Sequence, residues 1–316
     1  MSRRKTPRWN GLLPISKQSG PTSHDVVDMA RKALGERRVG HTGTLDPMAR
    51  GLLLLCVGRA TRLQRYLLHW PKSYHGLIRL GRATTTYDGE GDPIDPQGSP
   101  PELDEATVGR LAATFSGTIE QLPPPFSAKK VSGKKLYELA RDGKSVPVEP
   151  KSVTVSHLEL DVQAPDLLSV TLTCSTGFYV RTLAHDIGLE LGCGAHLHHL
   201  ERVSIGPYCA ADALAQEDLT ACDRPEDIIE SSCWSRLSDI KLPFSEINLN
   251  PEAAHRFQHG QAVVVFRATP DGATVGDCVA VRSQTGDLLG VGTIHNLLAR
   301  GRTLTVHPSM VLGPSP

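Results

Sequence analysis

The stretch GLLLLCVG, residues 51 to 58, constrains the fold more than any other part of this chain. Its apolar side chains leave no polar face in either helical or strand periodicity. The run is far too short to cross a bilayer. Bounded by glycines and preceded by a turn, it reads as a strand buried on both faces. Such a strand needs a covering layer on each side, so the chain must build a sheet within a layered α/β domain. Directly before it lies the polar loop GHTGTLDPMAR. Asp46 is the one carboxylate between Gly40 and Gly58. Pro47 fixes its own φ and biases Asp46 away from the helical region, which limits how that carboxylate is presented.

Other segments supply the rest of the sheet. GLLPISKQSG predicts a short strand running into a turn, and TSHDVVDMARKALG a helix capped by Thr22 or Ser23 and ended by Gly35. YHGLIRLG is a second strand, followed by a polar loop that includes TYDGEGD. LDEATVGRLAATFSG predicts a helix stopped by Gly117, KSVTVSHLELDV and LLSVTLTC two more strands, and RTLAHDIGLELG a helix ending in glycine. The acidic stretch DALAQEDLTACDRPEDIIE is expected at the periphery as helix or loop. From about Leu242 the character changes: AVVVFRA, CVAVRS, LLGVGTI and TLTVHP are short strands divided by turns, the pattern of a small β-barrel. With 316 residues, two domains are the first expectation.

Composition excludes several classes. Nothing near the basic start MSRRKTPRWNG resembles a secretory leader, and seven scattered cysteines without Cys-x-x-Cys fit reduced thiols in a cytoplasmic protein. No Gly-x-Gly-x-x-Gly follows a strand, so a dinucleotide fold has no support. Basic and acidic residues balance at 34 each, but unevenly. Residues 1–41 hold nine basic groups against three acidic, and residues 127–141 five against one, while residues 200–250 hold ten acidic against four basic. A neutral chain with two basic regions can still offer phosphates a favourable face, although solvated surface explains the charges equally well.

Asp46 is the first candidate for chemistry: a carboxylate ionised at neutral pH can act as nucleophile, base or metal ligand, or simply bond its own turn. Asp88, Glu90 and Asp92 could supply a second carboxylate across a cleft or hold magnesium, and equally suit a solvated loop. HLHHLER lacks the frame of a zinc site, so no metal is expected. Arg181 opens a helix, an odd place for a cation on dipole grounds, unless it is buried against a carboxylate. Tyr74 and Tyr179, at strand edges, suit packing or base stacking.

Taken together these residues resemble the TruB family, the bacterial tRNA pseudouridine-55 synthases. The resemblance rests on GLLPISKQSGPTSHDVV, RRVGHTGTLDPMARGLLLLCVGRATRL, KSYHGLIRLG, PPPFSAKKVSGKKLYELAR, STGFYVRTLAHDIG and LGCGAHLHHLER, in family order across most of residues 11–206. It implies a pseudouridine synthase fold of the α/β (α+β) class: a central mixed, mainly antiparallel sheet plus a small C-terminal PUA-like β-barrel. The limits it implies are a basic tail at 1–10, a catalytic domain at 11–240 with an RNA-binding segment near 119–150, and the PUA-like domain at 241–316.

The implied reaction isomerises a uridine in the T-arm of tRNA, without cofactor, metal, guide RNA or obligate protein partner, in a monomer that does not enter the membrane. Asp46 matches the family's catalytic aspartate, Arg181 the arginine paired with it, and Tyr74 the tyrosine that stacks on the target base. Tyr179 and Leu200 match residues lining the uracil pocket, and His41 the histidine that helps displace the target nucleotide. Lys17, Arg37, Lys129 and Lys130 are expected among the RNA contacts. The chain departs from the family pattern at Gln18, Thr85, Phe126 and Glu201, none of them a catalytic position.

Overall fold

A computed structural model of the chain describes residues 7–125, 130, 131, 134, 135, 149–266, 272–298 and 303–313. The apolar run is a strand, Arg50–Val57, whose side chains from Gly51 onward are all buried. Leu53, Leu55 and Val57 point to one side, into a cluster with Val26, Ala30 and Leu34. Leu52, Leu54 and Cys56 point to the other, where they meet Ala280, Leu288, Val291 and Met310 from the C-terminal part of the chain. Each face is therefore dry because a different part of the chain covers it.

In chain order the main sheet contains β1 (Gly11–Lys17), β2 (Val39–His41), β3 (Arg50–Val57), β4 (Lys72–Leu80), β5 (Gly117–Gln121), β6 (Lys151–Ala164), β7 (Leu167–Cys174), β8 (Ala195–Ile205) and β9 (Leu214–Ala215). Its spatial order is β9-β1-β3-β8-β4-β7-β6-β5, with β2 pairing on β3. Only β9–β1 and β3–β8 among these pairs are parallel, so the sheet is mixed and mainly antiparallel. Glycine is required where β3 meets β8: Gly51 has φ 97°, and a Cβ there would lie 2.4 Å from the Arg202 carbonyl oxygen.

The longer described helices on this sheet are three. Helix α1 (Ser23–Leu34) begins in a capping box between Thr22 and Asp25 and ends at Gly35 in the left-handed region, as the sequence predicts. Helix α2 (Glu105–Thr114) is capped by Asp104, and α3 (Val180–Glu190) buries Leu183, Ala184 and Ile187 against the sheet. The acidic stretch carries the expected helices, Gln216–Ala221 and Pro225–Ile229, at the edge of the sheet. Leu214 and Ala215 form β9 against β1, and Leu219 and Ile228 are buried beside α1, because apolar residues recur inside its charged sequence. HLHHLER lies in β8, between β3 and β4 near the middle of the sheet.

The C-terminal segment forms a second sheet from β10 (Glu246–Leu249), β11 (Val263–Phe266), β12 (Cys278–Ser283), β13 (Leu288–Leu298) and β14 (Thr303–Val311). Their order, β10-β12-β13-β14-β11, makes a curled half-barrel rather than a closed barrel. Helix α4 (Pro251–Gln258) lays Phe257 inside it.

Lys17, at the end of β1, has no exposed surface. Its ammonium donates to the carbonyls of Ala49 at 2.6 Å, Gln18 at 3.0 Å, Pro47 at 3.2 Å and Asp46 at 3.3 Å. The expectation of Lys17 as an RNA contact is therefore corrected: its charge is occupied in pinning the Asp46–Ala49 turn to β1. Lys17→Met strands these carbonyls in the interior, a loss of about 3 kcal/mol. Tm should fall by roughly 6–12 °C in thermal unfolding followed by circular dichroism; an unchanged Tm would count against this role.

Candidate active site

The turn pinned by Lys17 opens onto a cleft of about 290 Å³. Its walls come from distant pieces of chain: Gly43 to Asp46, Lys72 and Tyr74 of β4, Ser175 to Arg181 at the start of α3, and Leu200 and Arg202 of β8. Asp46 is the only carboxylate among these lining residues. A third of its side chain is open, at 34% exposure, whereas Arg181 is 6% exposed.

The two groups meet as a fork. Arg181 Nε lies 2.8 Å from Asp46 Oδ2 and Nη2 lies 3.0 Å from Oδ1, which fixes the plane of the carboxylate as well as its place. The far side of the guanidinium is also held: Nη1 donates to the Thr86 carbonyl at 3.0 Å and lies 3.4 Å from Asp88 Oδ2. Asp88 is itself 6% exposed. The carboxylate that the sequence offered for a second catalytic or metal-binding role instead braces the arginine from behind.

The start of α3 has no side-chain cap. The Gln121 carboxamide takes over part of that work, accepting from Tyr179 N at 2.7 Å and donating to the Tyr179 carbonyl at 3.0 Å. Arg202, 1% exposed, donates to the carbonyls of Leu52 at 2.7 Å and Gly43 at 3.0 Å, and so holds the opposite lip. Lys72 donates to the carbonyls of Leu68 and Trp70, both at 2.7 Å. Sequence reasoning did not single out Gln121, Arg202 or Lys72. The one available signal was a charge in an apolar strand context, as in HLERVSI and KSYHGLI.

Burial dominates the titration of the site. It lowers Lys72 to about 8, assisted by repulsion from Arg202, and lowers Lys17 to about 8 against the attraction of Asp46. Burial raises the Tyr74 phenol, so the neutral form prevails at pH 7. His41, lowered first by burial and then by Arg202, is held as a neutral imidazole whose Nδ1 accepts from Gly43 N at 3.3 Å.

Of the residues expected from sequence, Asp46, Tyr74, Tyr179, Arg181 and Leu200 share the cleft. His41 stands beside it on β2, and Arg37 is exposed just before that strand. Lys129 and Phe126 lie outside the described residues, and Lys130 falls in a two-residue strand of which the backbone alone is described. No group of three or more metal-ligating side chains gathers among the described residues. No described helix is long and apolar enough to cross a membrane.

Comparison with known proteins gives a consistent class. Residues 31–180 match the TruB family pseudouridylate synthase N-terminal domain, 181–242 the tRNA pseudouridylate synthase B C-terminal domain, and 245–300 the pseudouridine synthase II TruB C-terminal region. A tRNA pseudouridine synthase B from Burkholderia lata is 42% identical over 296 residues, 92% of this chain and 88% of the relative. One from Aliivibrio fischeri is 36% identical over 302 residues, 92% and 93% of the two chains. Among solved structures, a crystal structure of a Cbf5-Nop10-Gar1 complex aligns with TM-score 0.74 at 25% identity, over 96% of this chain and 85% of that one. The fold and these matches define a pseudouridine synthase. Within that class, the chain belongs to the TruB family.

One neighbouring carboxylate is out of balance. Burial raises Asp186, on α3, from 3.8 to about 6. Its folded-state value lies above the unfolded one, so folding favours the protonated form; the resulting cost grows as pH rises from 4 and is complete above 6. Asp186→Asn should therefore stabilise by roughly 1–2 kcal/mol at pH 8 and by almost nothing at pH 4. Denaturant unfolding at the two pH values measures this, and an equal gain at both would show that the charge is not the cause.

Proposed function

We propose that this chain converts uridine 55 in the T-loop of tRNA to pseudouridine, acting alone, without guide RNA, metal or organic cofactor. The observation that carries the reading is the lone Asp46 carboxylate, open to a cleft and oriented by both edges of the Arg181 fork. Isomerisation leaves the atoms of the nucleotide unchanged: the bond from ribose C1′ to uracil N1 breaks, and one from C1′ to C5 forms. The proton leaving C5 is matched by one taken up at N1. Such a reaction needs no water and no third substrate, so one carboxylate can suffice. Asp46 can attack C1′ and release uracil, or assist loss of the 2′ proton and pass through a glycal; attack at uracil C6 uses the same group. On each route the base must be retained and turned before recapture, which calls for a close-walled pocket.

Tyr74 and Leu200 supply such walls. The raised phenol of Tyr74 supports stacking on the base by a neutral ring. A T-loop uridine is reached only after it is flipped, and neutral His41 beside the cleft mouth suits a wedge or hydrogen-bond donor for that step. Arg37, Lys129 and Lys130 fit contacts to phosphates. We assign residues 11–240 to catalysis, with 119–150 as an RNA-binding segment, and 241–316 to a PUA-like RNA-binding domain. A monomeric, cytoplasmic enzyme fits the composition.

A guided reading deserves weight because a solved H/ACA RNP bound to a substrate RNA aligns with TM-score 0.73, but at 23% identity that likeness concerns the fold. Relatives at 36–42% identity bear the name tRNA pseudouridine synthase B, which favours tRNA as the substrate. Incubating the purified chain with an unmodified tRNA transcript decides between the two. In the same assay Asp46→Asn should abolish product, at least a thousandfold below wild type, while tRNA affinity stays within a few-fold. Full product from the variant would falsify the assignment.

Phosphate contacts predict salt dependence. Replacing Lys129 and Lys130 together by alanine should weaken tRNA binding at every salt concentration and flatten the plot of log affinity against log salt by about two. A slope equal to that of wild type argues against phosphate contact by either lysine.

A further inference from the structure

The corner Thr86-Tyr87-Asp88 braces Arg181, and its middle residue is conformationally unusual. Tyr87 has φ 64°, the one non-glycine residue in the left-handed region among those described. An aromatic side chain is disfavoured there and persists when its surroundings hold it. What holds it is on α3. The Tyr87 ring lies flat on the His185 imidazole, with centroids 3.8 Å apart and planes 7° from parallel. His185 sits one turn beyond Arg181 on the same helix face. The backbone of Tyr87 is fixed too, accepting from Leu197 N at 3.0 Å and donating to the Thr84 carbonyl at 3.2 Å.

The neighbours on each side of Tyr87 are the two groups that engage Arg181 Nη1: the Thr86 carbonyl and the Asp88 carboxylate. Asp88 Oδ1 is in turn occupied by Glu90 N at 3.1 Å and by the Thr86 hydroxyl. Neither ring of the stack lines the cleft. The buried His185 Nδ1 has no hydrogen-bond partner among the described residues, and the contact the imidazole makes with Tyr87 is through its face. Burial also lowers His185, which keeps a second positive charge away from Arg181.

We propose that the Tyr87–His185 ring pair is a clamp that positions Arg181, and through it Asp46, by locking the strained Thr86–Asp88 corner onto helix α3. It rests on the reading that Asp46 is the reacting carboxylate. Both rings act as positioning residues. Losing the stack unfastens the corner from helix α3, so that the Thr86 carbonyl and Asp88 move away from Nη1. The fork on Asp46 then loses its backing.

The test uses the full chain, with single-turnover pseudouridine formation and tRNA affinity measured separately, and folding followed by circular dichroism. Tyr87→Ala and His185→Ala should each slow the chemical step tenfold or more while tRNA affinity stays within twofold. Tyr87→Phe and His185→Phe keep the stacked faces and should restore the rate to within threefold of wild type. Tyr87→Gly tolerates the turn but has no ring. It should fold and still be slow, which answers the case in which Tyr87→Ala folds poorly. The double alanine variant should be no slower than either single one, because both remove the same contact. The clamp is overturned if Tyr87→Ala and Tyr87→Gly react at the wild-type rate, if Tyr87→Phe is as slow as Tyr87→Ala, or if affinity falls in step with rate. An Asp46→Asn variant run alongside separates the two ideas. If it is inactive while Tyr87→Gly is fast, the clamp alone fails; if it is active, the reading of Asp46 fails.

Discussion

The arrangement of this cleft follows from placing the Arg181 guanidinium where there is almost no water. A guanidinium that is 6% exposed loses most of its hydration, and it is tolerable only when its donors are matched by acceptors of fixed position. Among the described residues, Asp46 from the loop before β3, the Thr86 carbonyl and Asp88 meet that need. Because the acceptors come from separate stretches of chain, satisfying the arginine also fixes those stretches relative to one another. Asp46 is the most exposed of the paired groups, so the side of the pair that faces the cleft is the side left for chemistry.

The same device recurs around the site in a milder form. Lys17, Lys72 and Arg202 direct buried positive charges at main-chain carbonyls of irregular segments, Arg202 at that of Gly43. A loop has no ladder of its own to satisfy its carbonyls, and a buried cation does that work while stiffening the loop. The arrangement also fills the cleft wall with positive charge, to which Asp46 is the one carboxylate counterweight among the lining residues. Under the proposed function, this field favours an approaching phosphate. It would also oppose protonation of His41, in keeping with a neutral ring at that position.

Much of the fold was legible because it depends on local pattern. The apolar run of β3, the capping box of α1 and the alternation in β7 each carry their own signal in neighbouring residues. The lone Asp46 and the misplaced cation Arg181 were legible as oddities. What stayed hidden depends on contacts distant in sequence. Strand β8 reads as a cluster of histidines, yet it lies between β3 and β4; His196 is satisfied by the Arg82 carbonyl at 2.8 Å, which no spacing rule anticipates. Lys17 looked like a surface cation because its burial is imposed by the Asp46–Ala49 turn, some thirty residues along the chain. Asp88 looked like part of a solvated loop because its partner lies 93 residues away.

Three residues at the rim show how far that central pairing is insulated. Glu201, in β8, stands directly across from Arg50 in the parallel register with β3, and the two form an ion pair at 2.9 Å. Thr85 turns its hydroxyl to Asp92 N at 3.1 Å, closing the loop that carries Asp88 from within. Gln18 engages the Gln216 carboxamide through its backbone, leaving its side chain outside the turn that Lys17 holds. The Glu201 and Thr85 side chains are satisfied by neighbours at the edge of the site, and among the described residues none of the three bonds to the side chains of Asp46, Arg181 or Asp88. A sheet whose middle strand is dry on both faces can accept varied residues at its rim, because β3 and the buried Lys17 ammonium locate the loop bearing Asp46 from within.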